Sequence, residues 1–278
     1  MPSACVVPRC TRDCNSIYKH CTMISEIELQ TEVGRLLTTL YEKRFGALAK
    51  LSLKKLLGKN PYLYRALGIS DPAEFVNQLM IAFVSSSDET IFGNDFFEPL
   101  AIFAARNSNA TGDEQRLVSV GAGAGQDIAI ETATSYLAIA VKSGTNIFNS
   151  QSTKGQDSEF AALQARLKKL NKMFRPIIGH GYGRKSPRAA TNVEKLAGQA
   201  FWQLISGETD FYLRISRAME QYALDHGAGY KKEFEAKRNQ LLREFMIDYV
   251  QQDGVILWDE VVAFNSAIEK PKRTTTPK

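Results

Sequence analysis

Cysteine is nearly missing from this chain. All four cysteines fall within the first 21 residues, at Cys5, Cys10, Cys14 and Cys21, and none follows. That distribution excludes a disulfide framework and a catalytic thiol from the body of the protein. The gaps of four, three and six residues lack the paired short knuckles of a structural zinc site, although His20 stands beside the last cysteine. The simpler expectation is that residues 1–22 are a disordered or non-native leader, with Met23 as the natural start. Long apolar runs are also missing. The stretch at 79–84 falls far short of the roughly 18 residues that span a bilayer. The N-terminus lacks the basic-then-apolar layout of a secretory signal, so the expected location is cytoplasmic. No internal repeat is visible.

What is present suits a folded α/β protein. The 278 residues are 44% hydrophobic and 23% charged, enough for one large domain with a helical appendage. A net charge of +5 and a pI near 8.9 permit a nucleic-acid partner without requiring one. Ile27, Val33, Leu36, Leu37, Leu40 and Phe45 recur at helical spacing, giving one or two helices over 24–57 that Gly58-Lys59-Asn60-Pro61 stops. Asp71-Pro72-Ala73-Glu74 reads as a helix start, and Ser85-Ser86-Ser87-Asp88-Glu89 as a second start leading into 90–105. Strands follow at 116–120, 127–131 and 136–142, the last two joined by a turn at 132–135. A helix over 157–173, a strand over 174–179 and a mostly helical run from 192 to about 267 complete the pattern. The domain expectation is a leader (1–22), an N-terminal helical region (23–84), a core (85–190), a helical C-terminal region (191–269) and a disordered tail (270–278).

The hairpin carries the chemistry. Asp127 begins one strand and Lys142 ends the next, so folding about the turn brings a carboxylate and an ammonium to one end of a sheet. Phosphodiester hydrolysis uses that pairing: carboxylates to hold Mg²⁺, and a cation to stabilise charge or help activate water. Alone, an Asp–Lys pair is also what an ordinary surface ion pair looks like.

The residues beyond the lysine sharpen the reading. Lys142-Ser143-Gly144-Thr145-Asn146-Ile147-Phe148-Asn149 resembles the nuclease core of PmeII-type restriction endonucleases, members of the PD-(D/E)xK superfamily. Further blocks are similar to that family in order: residues 92–98, 177–184, 198–207 and 258–265, together spanning about 85–267. The resemblance implies a restriction-endonuclease-like α/β core, a mixed central sheet flanked by helices with helical N- and C-terminal parts. It also implies a homodimeric, Mg²⁺-dependent type II enzyme that cuts double-stranded DNA at a short recognition sequence. A DNA methyltransferase would belong to the same restriction–modification system without being a stable subunit. By the same carry-over, Asp127 is a metal ligand, Lys142 lies near the attacking water and Glu98 is the helix carboxylate. Ser143, Asn146, Asn149, Arg184, Lys185 and Arg188, with Lys142, are the DNA-contacting candidates. One position departs from the pattern: Ala140 stands two residues before the lysine, where the superfamily has Asp or Glu. Glu98, Glu159 or the Val141 backbone carbonyl with waters are the available substitutes. The alternatives left open are a catalytically impaired DNA-binding relative and a repair or junction nuclease of the same superfamily.

Other motifs weigh less. Gly121-Ala122-Gly123-Ala124-Gly125 precedes a strand where a dinucleotide fingerprint requires a helix, and reads as a flexible approach to Asp127. Gly179-His180-Gly181-Tyr182-Gly183 reads as a mobile loop beside DNA phosphate, with His180 structural or solvated. Gln164 occupies a place where some related nucleases put a supporting glutamine, and is more simply a solvated helix residue. Lys43, Arg44, Lys50, Lys54, Lys55 and Lys59 form a basic stretch that suits a DNA clamp or, more simply, a solvated helix face.

Overall fold

The computed structural model describes residues 23–108, 116–123, 125–144, 150–168, 171–184 and 192–268. The cysteines and the candidate DNA contacts Asn146, Asn149, Lys185 and Arg188 lie outside them. The first described segment turns at once into α1 (Glu26–Ala49), nucleated by a capping box. The Ser25 hydroxyl accepts from the Glu28 amide, and the Glu28 carboxylate accepts from the Ser25 amide at 2.9 Å. Short helices α2 (Leu53–Leu56) and α3 (Pro61–Ala66) follow. α4 (Pro72–Phe92) starts where Asp71 Oδ1 accepts from the amides of Ala73 and Glu74, at 2.6 and 3.1 Å.

No break occurs at 85–89. The helix runs on to Phe92, passes through a π-helical turn (Gly93–Phe97) and continues as α5 (Glu98–Asn107). Ser and Asp make good caps, yet inside a helix they cost only a few tenths of a kcal/mol in propensity, about what tertiary packing overrides. Leu79 and Met80 buried before this stretch, and Phe96 and Phe97 buried after it, hold it helical.

The sheet is mixed and five-stranded, in the order β1 (Leu117–Gly123), β2 (Gln126–Glu131), β3 (Ser135–Lys142), β4 (Met173–His180) and β5 (Glu194–Ala197). The first two pairings are antiparallel and the last two parallel. α6 (Ser150–Leu167) makes the crossover between β3 and β4, as a parallel pair demands. Strand β5 is a departure from the sequence reading, which runs helix through this region. Its four residues, with Glu194 and Lys195 among them, carry no strand pattern, and it exists only because β4 offers it an edge.

Period-two alternation divides the sheet between two cores. Ile128, Ile130, Leu137, Ile139 and Val141 join α1, α5, α7 (Gln199–Ser206) and the start of α8 (Phe211–Tyr249) in the main core. Ala129, Ala138, Ala140 and Ile178 pack on Phe160 and Leu163 of α6. A third core lies away from the sheet. Here α2, α3 and the first half of α4 close on the end of α8 and on α9 (Trp258–Ser266), with Phe75 within 5.5 Å of the Tyr64, Phe245 and Trp258 rings. The segments read from sequence as separate N- and C-terminal helical regions therefore share one core. Helix α8, 39 residues and about 58 Å long at 1.5 Å per residue, connects it to the sheet. Buried Arg214 ties the start of α8 to that of α1, donating to Glu26 at 2.9 Å, to the Ile24 carbonyl at 2.6 Å and to Glu208. Among the described residues no helix is long and apolar enough to cross a membrane.

Phe75→Ala should cost about 3–5 kcal/mol, the range for truncating a fully buried aromatic. Urea denaturation followed by circular dichroism measures it, and a loss below about 1 kcal/mol would show that the helical core does not depend on this ring.

Candidate active site

The register of the β2–β3 ribbon decides where chemistry can occur. Ile128 faces Ile139 and Ala129 faces Ala138. One step further the same register sets Asp127 across from Ala140, and Lys142 follows two residues later on the same face. The two residues distant in sequence thus share one side at one end of the ribbon. Asp127 is locked there: its Oδ2 accepts from the Val141 amide at 2.7 Å. Opposite it, the pairing of β1 with β2 slips between Val120 and Gly123. Gly121 takes φ 58° at this bulge, a device that re-aims a strand end. The glycine run is therefore mostly strand and bulge. Gly125, at φ 80°, closes it, and a Cβ there would sit 2.5 Å from Glu159 Cβ. Its carbonyl accepts from Gln156 Nε2 at 2.5 Å.

Lys142 is fixed from its other side. β4 runs parallel to β3 with His180 paired to Lys142, and the ladder continues past the strand. The Gly181 amide donates to the Lys142 carbonyl at 2.8 Å, and the Tyr182 amide to the Ser143 carbonyl at 3.1 Å. His180 is buried, with Nδ1 2.8 Å from the Gly144 carbonyl oxygen. It belongs to strand β4 and not to the mobile loop expected from sequence. Ser143 is buried against Gly93, whereas Arg184 is exposed.

Glu98 arrives from the opposite layer. The π-helical turn packs on the end of β3 through Gly93 and on Gly181 through the Phe97 ring, and Phe97 also meets Trp202, 6.1 Å away. Glu98 opens the helix immediately after this turn, at a feature that recurs at functional sites. Its carboxyl is held above the ordinary carboxylate range, first by burial and then by the negative charge of Asp127. Lys142 pulls it back down, and Asp95 pushes it up again. The three residues singled out from sequence thus lie within electrostatic reach of one another. Asp95 was not foreseen. It sits one turn before Glu98, and its Oδ1 is 2.6 Å from Lys43 Nζ of α1.

Ala140 is buried in the α6 core beside Phe160, and of the substitutes expected from sequence Glu159 of α6 lies against Gly125, two residues before Asp127. Glu131 lies at the far end of the ribbon, paired with Lys172 at 2.7 Å. Gln164 lines a groove against Phe174 and Pro176, so the glutamine of α6 that reaches the β1–β2 turn is Gln156. Among the described residues no three Asp, Glu, His or Cys side chains come close enough together to hold a metal ion by themselves.

The sequence model of the family described as type II restriction endonuclease EcoO109I matches residues 27–227. No curated protein matches the chain. The matched stretch contains α1, the π-helical turn, the whole sheet and the first half of α8.

The upward displacement of the Glu98 pKa has a stability consequence. As pH rises above the ordinary value of 4.5, the unfolded chain ionises Glu98 before the folded one does, so stability falls through that interval. In metal-free buffer Glu98→Gln should therefore melt higher than the parent at pH 8, and the difference should vanish near pH 4. A variant that melts lower at both values would contradict the placement of Glu98.

Proposed function

Because the chain belongs to the type II restriction endonuclease EcoO109I family, we propose that it hydrolyses phosphodiester bonds of double-stranded DNA at a short recognition sequence, with Asp127, Glu98 and Lys142 at the cut. The observation that carries this residue assignment is the register of the β2–β3 ribbon, which puts Asp127, held by the Val141 amide, and Lys142 on one side of its end, with Glu98 close enough to feel both charges. The family supports a nuclease acting on DNA, with the type II class in common with the PmeII-type resemblance but without that type itself.

The donor set suits Mg²⁺, which binds through one or two carboxylates and keeps several waters. The Glu98 carboxyl, made costly to ionise by burial and by the neighbouring Asp127, is stabilised in its charged form when a divalent cation joins it. Asp127, Glu98 and the Val141 carbonyl would hold it. When bound, Mg²⁺ neutralises phosphate charge and makes a coordinated water more acidic. The protein's own contribution is positional. Asp127 is kept in one orientation by the Val141 amide. Lys142, held by two neighbouring strands, directs its ammonium at the charge that builds on the phosphorus oxygens and orients the attacking water. The product expected is a 5′ phosphate. Arg184, with Lys185 and Arg188 beyond it, supplies phosphate contacts outside the sheet. Pairing of two copies and a companion methyltransferase complete the proposed restriction system.

A second reading rests on Ala140. With alanine in place of the expected acid, the protein would bind DNA without cutting it. Phage DNA incubated with the protein and Mg²⁺ separates the two: discrete fragments support the enzyme, and a retarded intact band supports the binder. On the first reading, Asp127→Ala and Lys142→Ala each lower cleavage by about two orders of magnitude or more, the scale of losing a charge-stabilising group, with unchanged circular dichroism. Normal cutting by either purified variant would remove these residues from the site.

A further inference from the structure

We infer that one face of α1, carrying Lys43 and Lys50 with Gly46 and Ala47 between them, seats the sugar–phosphate backbone of the duplex next to the cut. This rests on the nuclease reading above and extends the binding surface beyond the sheet.

Residues 43, 46, 47 and 50 are spaced by three and four, so they share one stripe of the helix. The other sides of α1 are occupied. Val33, Leu36, Leu37 and Leu40 enter the main core, and Tyr41 meets Tyr222 and Tyr230 of α8 at 5.6 and 6.0 Å. The stripe itself is open: Lys43, Ala47 and Lys50 are exposed, and a Cβ added at Gly46 would meet nothing within 4 Å. Its near end adjoins the active site, because Lys43 Nζ is held 2.6 Å from Asp95, one turn before Glu98, while its side chain stays half exposed.

Exposed lysines on a helix are ordinarily just solvated, and an exposed ion pair contributes little to stability. Two features set this stripe apart. It is continuous with the site, and a glycine lies between its cations in a helix that would be more stable with alanine there. Among the described residues no neighbour packs against Gly46, so close packing with them does not account for it. A strand of phosphates lying across α1 does, since the low ridge between two ammonium groups about 10 Å apart lets the backbone approach both. Lysine acts on phosphate as a point charge. Contacts of this kind position the duplex and carry no sequence information.

The test uses the full chain and a long random-sequence duplex in EDTA, with fluorescence anisotropy over a salt series. Each phosphate contact contributes about 0.9 to the slope of log K against log salt. Lys43→Ala/Lys50→Ala should lower the slope by about 2, and Lys50→Ala alone, remote from the carboxylates, by about 1. Lys43→Arg/Lys50→Arg should retain the parent slope. Ala47→Glu should weaken binding at low salt, since it sets a like charge against the phosphates with little change in helix preference. Alanine and glutamate variants with the parent's slope and affinity would overturn the inference. A parent protein that neither binds nor cuts DNA would instead overturn the nuclease reading itself.

Discussion

The structure depends on the register of one antiparallel ribbon. Because both faces of the sheet are buried, each residue of β2 and β3 has a fixed side: Ile128, Ile139 and Val141 one way, Ala129, Ala138 and Ala140 the other. A slip of one residue would turn every one of these to the wrong layer, exchanging isoleucines for alanines in both cores. The same register sets Asp127 and Lys142 on one side at one end. The carboxylate is then held by an amide of the facing strand. Hydrophobic burial along the ribbon therefore determines the geometry at its polar end.

A second constraint brings the third residue over that end. α5 packs on the main core, and alone it would present its first turn at an angle set by core packing. The π-helical turn, fitted against the buried Ser143 and the ring-covered Gly181, sets where Glu98 emerges. Glu98 there is half-buried, which raises its cost of ionisation; Asp127 and Asp95 add to that cost and Lys142 relieves part of it. Lys43 neutralises Asp95 from outside.

The sequence was most readable where burial imposes a period. The hairpin follows from alternation, the capping box from Ser25 and Glu28, and the start of α4 from Asp71-Pro72. It was least readable where a neighbour supplies the reason for the structure. Glu194-Lys195-Leu196-Ala197 is a strand because β4 has a free edge, and the serine-rich stretch before Phe92 stays helical because its flanks are buried. Ala140 marks the limit within the site. Its identity says which acid is missing, and nothing nearby in sequence says which group replaces it.

The chain by itself determined the family likeness, the ribbon, and the placing of Asp127 and Lys142 at one end of it, because these are local pattern and short-range topology. Only the tertiary structure brought Glu98, which the family resemblance had already named, within electrostatic reach of that ribbon end, set Asp95 and Lys43 beside it, and showed that the chain's two helical ends share one core. Those relations join residues from about 30 to nearly 200 positions apart, through packing between layers, and no local periodicity encodes which faces will meet.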